Sequence, residues 1–448
     1  MGLTKSLQDL GLETARLKTG TPPRLHKRSI DFSKTETQAS DSVVPWFSFW
    51  KSDLFHMEQD SKKLCLYPNG SSLEKSGPQN CFITRTTDAT ARVIRANIHL
   101  SPMYSGVIEG VGPRYCPSIE DKIMRFSEKA THQIFLEPEG VGTEEIYVNG
   151  FSTCLPFEVQ HELVRTIIGC ENAEIMRPAY AVEYDFVFPT QLTAQLETKV
   201  CKNLYLAGQI NGTSGYEEAA AQGLMAGINA AKSAQGLPGM TLARDQAYIG
   251  VLIDDLISKG TSEPYRMFTS RAEHRLLLRH DNADLRLSQI GYEAGVLKKS
   301  KVDIVNNKRS KIDLELKRLD SVRHEGQKLS QLLRRPEVLY GDLPSQDRTL
   351  PDEVIAEVEI ITKYAGYISR QEIEAAKLKS VETKQLPADL DYSTINGLRV
   401  EAKQKLQAIR PANLGQASRI SGVSPSDVSV LMIWLRKAGE RNKETPTA

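Results

Sequence analysis

Residues 204–226 constrain the fold more than any other stretch of the chain. They read Leu-Tyr-Leu-Ala-Gly-Gln-Ile-Asn-Gly-Thr-Ser-Gly-Tyr-Glu-Glu-Ala-Ala-Ala-Gln-Gly-Leu-Met-Ala. The apolar segment 204–207 predicts a short buried strand. Gly208, Gly212 and Gly215 follow at turn spacing. Ser214 and Glu217 stand three apart, which predicts a helix start closed by a capping box. Ala219, Gly223 and Gly227 recur every four residues, so one face of that helix lacks bulk. A strand, a glycine turn and a helix N-terminus together suit a negatively charged group. A flavin meets that description, because its pyrimidine edge becomes anionic on reduction. A buried strand-turn-helix unit without a ligand has the same local signature.

At 448 residues the chain is expected to form about two or three domains. The apolar and charged fractions, 40% and 25%, are those of a soluble globular protein. A net charge of +1 excludes bulk charge as a source of nucleic-acid affinity, so any RNA contact needs a local patch. No apolar run approaches the ~20 residues of a membrane span, and the N-terminus lacks a signal-peptide core. The six cysteines are scattered without a C-x-x-C pair, which predicts reduced thiols in the cytoplasm and no zinc site. The eight histidines show no ligand spacing, so no metal is expected.

Along the chain, Thr19-Gly-Thr-Pro-Pro-Arg24 predicts an extended, rigid turn, since two prolines exclude a helix. Arg16, Lys18 and Arg24 flank it, so an anion contact and a plain surface loop are both open readings. Trp46, Phe47, Phe49, Trp50 and Phe55 predict the core of an inserted subdomain. Strands are expected at 82–85, 133–136, 145–148 and 181–185, and helices at 117–129 and 157–169. From Thr241 the pattern is helical almost to the end. Leu386-Pro387 sets off a last module, whose final helix has Ser424 as N-cap, Pro425 at its first position and Asp427 three on. Its apolar face is expected to hold Val428, Leu431, Met432 and Leu435.

Two runs carry candidate chemistry. In Gly112-Pro-Arg-Tyr-Cys-Pro-Ser-Ile-Glu-Asp-Lys122, Pro117 suits the first helical position, which puts Cys116 at or beside the N-cap. The helix end and Arg114 would favour its thiolate, while Glu120 and Asp121 oppose it. A reactive cysteine and an inert buried one both fit. In Glu263-Pro-Tyr-Arg-Met-Phe-Thr-Ser-Arg-Ala-Glu-His-Arg-Leu-Leu-Leu-Arg279, Arg271, Arg275 and Arg279 would form one cationic stripe on a helix. Arg266 and Arg286 would extend it. Arginine forks match phosphates, and a solvated face paired with Glu273 is the other reading.

The wording of 207–223 resembles the C-terminal flavin motif of the MnmG (GidA) family of tRNA-modifying flavoenzymes. Residues 16–24, 112–126 and 263–287 are similar to that family too, and the resemblance runs from Arg16 to the C-terminus, weakest over 297–350. It implies an α/β FAD-binding fold, Rossmann-like and of glutathione-reductase type but incomplete, with an α+β insertion and an all-helical C-terminal domain. The expected parts are a partial FAD-binding domain (1–40 and 191–240), an inserted NADH-binding subdomain (41–190), a helical tRNA-binding domain (241–385) and a partner-docking module (386–448). It implies FAD held at Thr19, Gly208, Gln209, Asn211 and Gly212. It further implies a nicotinamide segment of Gly112, Pro113, Arg114, Tyr115, Pro117, Ser118, Ile119, Glu120, Asp121 and Lys122, with Cys116 catalytic. The tRNA contacts would be Arg266, Arg271, Arg275, Arg279 and Arg286.

The activity so implied is C5 modification of the tRNA wobble uridine, adding a carboxymethylaminomethyl or aminomethyl group. FAD, NADH and methylenetetrahydrofolate would serve it, in a homodimer working with the GTPase MnmE. The alternatives are a non-catalytic tRNA- or GTPase-binding fragment, and the folate-dependent tRNA uracil methyltransferase, which lacks a long helical C-terminus. The family's G-x-G-x-x-G turn for the dinucleotide phosphates occurs nowhere in the sequence. The expectation is therefore that a segment precedes Met1 in the family, and that this chain alone holds FAD poorly.

Overall fold

A computed structural model describes residues 2–40, 49–50, 79–108, 110–115 and 117–444. Two compact units are present: Ala15–Phe186 with Ser262–Pro264, and Met1–Thr14 with Val187–Thr261 and Tyr265–Ala448.

The Ala15–Phe186 unit is built on β-structure. Its strands are β1 (Thr14–Thr21), β2 (Arg24–His26), β3 (Glu36–Gln38), β4 (Cys81–Arg85), β5 (Gln133–Pro138), β6 (Glu145–Asn149), β7 (Ile175–Arg177) and β8 (Tyr180–Val187). Pro22 and Pro23 have no N–H to donate, so β1 stops and the chain restarts as β2. Six strands form one antiparallel sheet in the order β3-β4-β5-β6-β2-β7, while β1 pairs with β8. Alternation aims Ile134 and Leu136 of β5, and Ile146 and Val148 of β6, to one side. They join Leu25, Ile94, Ile119, Ile123 and Leu163 in a single core. That core covers the sheet with helices Asp88–Asn97, Ile119–Arg125 and Phe157–Val164.

The strands expected near 82, 133, 145 and 181 are all present, and the two expected helices are shorter. Residues 24–38, expected with the flavin part, instead supply β2 inside the sheet and β3 at its edge. Leu25 explains this: it is completely buried, and only the sheet gives it a core to enter. Of the aromatic cluster, Trp46, Phe47 and Phe55 lie outside the described residues.

The second unit is mainly helical. Residues 204–207 form no full strand; Tyr205 alone bridges to Glu197. A 3-10 turn follows at Gly208–Asn211, and Gly212 takes the left-handed conformation at φ 72°. The Tyr216–Ala234 helix is capped by Gly215, one residue past Ser214, so the expected capping box is not what starts it. The helix buries Glu218, Gln222, Met225, Ala226 and Asn229. Gly223 and Gly227 fall outside that face, and a Cβ on either would meet nothing within 4 Å.

Helices Tyr248–Asp254, Ala283–Glu293, Lys299–Ser321 and Asp352–Glu382 continue the unit. The last module packs Val400–Ile409, Leu414–Arg419 and Pro425–Glu444 around Tyr392, Leu406 and Leu431. Its cap forms as expected: Asp427 N–H donates to Ser424 Oγ, and Ser424 N–H donates back to the Asp427 carboxylate. Arg399 locks that carboxylate at 2.7 Å. The buried face differs from expectation, because Val430 and Trp434 pack inward beside Leu431 while Met432 is exposed.

Leu25→Ala should lower stability by about 2–5 kcal/mol, read from urea unfolding. Val107→Ala, at a site 73% exposed, should stay within about 0.5 kcal/mol of the parent.

Candidate functional site

The Ala15–Phe186 unit contains a cleft of about 620 Å³. One wall is the end of β1, with Lys18, Thr19 and Gly20; the facing strip is Gly110–Arg114. These two lie side by side because Lys18 N–H donates to the Val111 carbonyl at 3.0 Å. Gly110 is needed there: a Cβ would stand 2.9 Å from the Leu17 carbonyl carbon. Its N–H donates to Glu183 at 3.1 Å. Arg114 is drawn to Glu263, 2.8 Å away, and Glu263 also lines the cleft.

The third wall is the start of the Ile119–Arg125 helix together with Ser152 and Thr153. Ser118, not Cys116 or Pro117, is next to the first turn as N-cap, accepting from Asp121 N–H at 3.1 Å. The helix therefore begins later than Pro117 suggested. Asp121 accepts a hydrogen bond from Tyr104 Oη at 3.1 Å and pairs with Arg125 at 3.3 Å. Burial and the Asp121 charge push the Tyr104 hydroxyl pKa up.

Thus Thr19, Gly112, Pro113, Arg114, Pro117, Ser118 and Asp121 meet on one cleft. Tyr115, Ile119, Glu120 and Lys122 are not on its wall: Ile119 joins the core, Glu120 is buried, and Lys122 Nζ donates to the Gly150 carbonyl at 2.7 Å. Cys116 lies outside the described residues. His132 is nearly buried against Thr86, and burial pulls its imidazole pKa down.

In the second unit, Gln222 organises the Gly208–Gly212 turn. Its Oε1 accepts from Gly208 N–H at 3.0 Å and Asn211 Nδ2 at 2.9 Å, and its Nε2 donates to Thr213 Oγ1 at 2.9 Å. Asn211 is fully buried, and its Oδ1 has no hydrogen-bond partner among the described residues. Gln209 is exposed. Glu218, in the helix's first turn, accepts from Met267 N–H at 2.8 Å and faces Arg266 at 3.5 Å.

The arginine run does not form a helical stripe. Thr269–Arg271 is a 3-10 turn, and residues 272–282 are turns and bends. Arg271 lies over the Tyr265 ring at 4.6 Å and donates to the Arg266 carbonyl at 3.0 Å. Arg279 binds Asp281 and buried Glu357, each at 2.8 Å. Arg286 donates to the Arg279 and Gln246 carbonyls and to Asn282 Oδ1. Arg275 is exposed. Arg266, Arg271, Arg279 and Arg286 are thus engaged by the protein's own carboxylates, carbonyls and a tyrosine ring, which a local pattern could not reveal.

Arg244, unmarked by any motif, is the centre of this region. It is 5% exposed and bonds Asp255 and Glu273 at 2.8 Å, Asp254 at 3.1 Å and the Arg271 carbonyl at 3.0 Å. Arg419 adds bonds to Asp254 at 2.6 Å and Glu382 at 2.8 Å. Tyr104, Thr153 and Glu263 were likewise missed, because the fold gathers them from distant segments, whereas Lys18 was already marked as a cation beside Thr19.

Family models match nearly all of the chain. "Glucose inhibited division protein A" covers residues 1–238. "tRNA modifying enzyme MnmG/GidA C-terminal helical domain" covers 279–372, and the corresponding helical bundle covers 374–448. They define a protein that joins a GidA-type N-terminal part to helical C-terminal domains. The chain belongs to the MnmG/GidA family. The "tRNA uridine 5-carboxymethylaminomethyl modification enzyme MnmG" of Protochlamydia amoebophila is 54% identical over 98% of this chain and 68% of its own length. The enzyme of the same name from Caldicellulosiruptor saccharolyticus is 50% identical over 98% and 71%. Aquifex aeolicus GidA matches in two crystal forms. Form I has a TM-score of 0.85 and 44% identity, covering 97% of this chain and 70% of that one. Form II gives 0.83, 43%, 97% and 69%.

Arg244→Met should destabilise the helical unit by about 3–5 kcal/mol, because three carboxylates lose their buried partner. Urea unfolding followed by helical circular dichroism measures it.

Proposed function

We propose that the chain is an enzyme of tRNA wobble-uridine modification, adding a carboxymethylaminomethyl or aminomethyl group at C5. The observation that carries this reading is the meeting of Thr19 with Gly112, Arg114, Ser118 and Asp121 on one cleft, in a chain of this family.

FAD is the cofactor of the reading, in a Rossmann-like fold of glutathione-reductase type. The Gly208–Gly212 turn fits the isoalloxazine end. Asn211 leaves a buried acceptor free among the described residues, Gly208 and Gly212 have positive φ, and a 19-residue helix starts at Tyr216, just after the turn, where a helix N-terminus favours negative charge. Gly208, Gln209, Asn211 and Gly212 would hold this end of the group. Bound FAD supplies two-electron redox chemistry.

NADH is assigned to the cleft, where Lys18 and Arg114 offer cationic contact and Ser118 and Thr153 offer hydroxyls. Methylenetetrahydrofolate is the one-carbon donor. Uracil C5 is a weak nucleophile until a nucleophile adds to the ring or an enolate forms, and a cysteine thiolate can activate a carbon centre; Cys116 is assigned this activating role toward one of the reacting carbons. For tRNA, exposed Arg275, with Arg266 and Arg271, is the contact set, while Arg279 and Arg286 support the backbone beneath it. The 386–448 module is the docking surface for the GTPase MnmE, in a homodimeric assembly of the cytoplasm. Among the described residues, no helix is long and apolar enough to cross a membrane.

Cys116→Ser should abolish wobble-uridine modification and leave the circular dichroism spectrum unchanged; activity in the folded variant removes this cysteine from the chemistry. Arg275→Ala should weaken tRNA binding uniformly across tRNA sequences and reduce the salt slope by about one. An unaltered slope in filter binding returns Arg275 to a solvated side chain.

A further inference from the structure

Behind the third cleft wall sits a carboxyl that the reading above does not use. Glu120 is 0% exposed, in the first turn of the Ile119–Arg125 helix. Its Oε1 accepts from the Thr153 hydroxyl at 2.7 Å and from Cys154 N–H at 3.2 Å. Its Oε2 is buried without a hydrogen-bond partner among the described residues. Two more bonds join the same segments: Ile119 N–H to the Ser152 carbonyl at 2.8 Å, and Lys122 Nζ to the Gly150 carbonyl at 2.7 Å. The helix start and the 150–154 segment are therefore stitched side by side. Their outer residues, Ser118, Ser152 and Thr153, face the cleft.

No cation pairs with Glu120 among the described residues. The titratable groups that face it are Tyr104, from the turn at 101–106, and Cys154, from the 150–154 segment; neither carries positive charge. Asp121, beside it on the helix, is engaged by Tyr104 and Arg125. A buried carboxylate without a cation is costly, so the neutral acid is favoured. Burial pushes its pKa above the ordinary carboxylate value, against the hydrogen bonds from Thr153 and Cys154, which oppose that rise.

We infer that Glu120 is a positioning residue: as an uncharged carboxyl it fixes Thr153 and the helix start in the geometry that the cleft's ligand requires. The ligand half of this inference rests on the assignment of NADH to the cleft. A group whose pKa is raised by folding contributes its stability fully below its unfolded value and loses it as pH rises through the folded one. The wall should therefore loosen as pH rises above the ordinary carboxylate range.

The test is amide hydrogen exchange of the 150–156 peptide, read by mass spectrometry from about pH 5 to pH 9 and corrected for intrinsic rates. Wild type, Glu120→Gln and Glu120→Ala are compared. Glutamine keeps an acceptor for Thr153 and Cys154 but cannot ionise. Protection should fall at least about threefold with rising pH in wild type and stay level in Glu120→Gln. It should be low at every pH in Glu120→Ala; if that variant does not fold, the glutamine comparison decides alone. Parallel profiles for wild type and Glu120→Gln overturn the inference. NADH affinity, from fluorescence titration of the same proteins, should follow the exchange profile. A wild type that binds no NADH sinks the cleft assignment and leaves the exchange result to judge Glu120 by itself.

Discussion

The helical unit depends on one buried guanidinium. Arg244 reaches three carboxylates and two backbone carbonyls, from a position where no water can replace them. Asp255 shows the consequence. Burial pushes its pKa up, yet hydrogen bonds and charge from Lys259 and Arg244 hold it below the ordinary value. Because the partners come from residues 251–255, 271–273 and, through Arg419, from 382 and 419, a single charge fixes the register of segments far apart in sequence. Taking such charges out of water is unfavourable unless every remaining hydrogen-bonding position is used. Here it tolerates little displacement of any partner.

The same logic decides what the arginine run can do. Its four-residue spacing reads as one face of a helix. In the fold, Arg271, Arg279 and Arg286 spend their donors on the carbonyls of residues 266, 276 and 279. Those bonds stabilise turns, so tertiary partners override helix propensity. The pattern carried the positions of the cations and nothing about which way they turn.

Elsewhere the sequence was a sound guide wherever one local rule decided the outcome. The short apolar segments at 133–136 and 145–148 placed β5 and β6, and Ser424 with Asp427 placed the start of the last helix, because a short strand and a cap are both settled within a few residues. The cleft was half legible. Thr19 with its neighbour Lys18 and the 112–121 run are local motifs, whereas Tyr104, Thr153 and Glu263 join them only through long-range contacts: Tyr104 to Asp121, Thr153 to Glu120 and Glu263 to Arg114. The extent of residues 24–38 was misjudged for a related reason: sheet membership is a long-range pairing, and three-residue strands such as β2 and β3 give no periodicity to read.

The Tyr216–Ala234 helix carries two glycines, Gly223 and Gly227, whose missing side chains leave open space rather than a close contact. Alanine in either place would remove backbone freedom from the unfolded chain and favour the helix, by roughly 0.4–1 kcal/mol each. The helix thus forgoes stability that the fold itself does not require it to forgo. What it keeps is a strip of bare main chain, smooth at the scale of a single methyl group. Anything that lies along that strip meets peptide planes first, and can approach the helix axis there without a side chain in between.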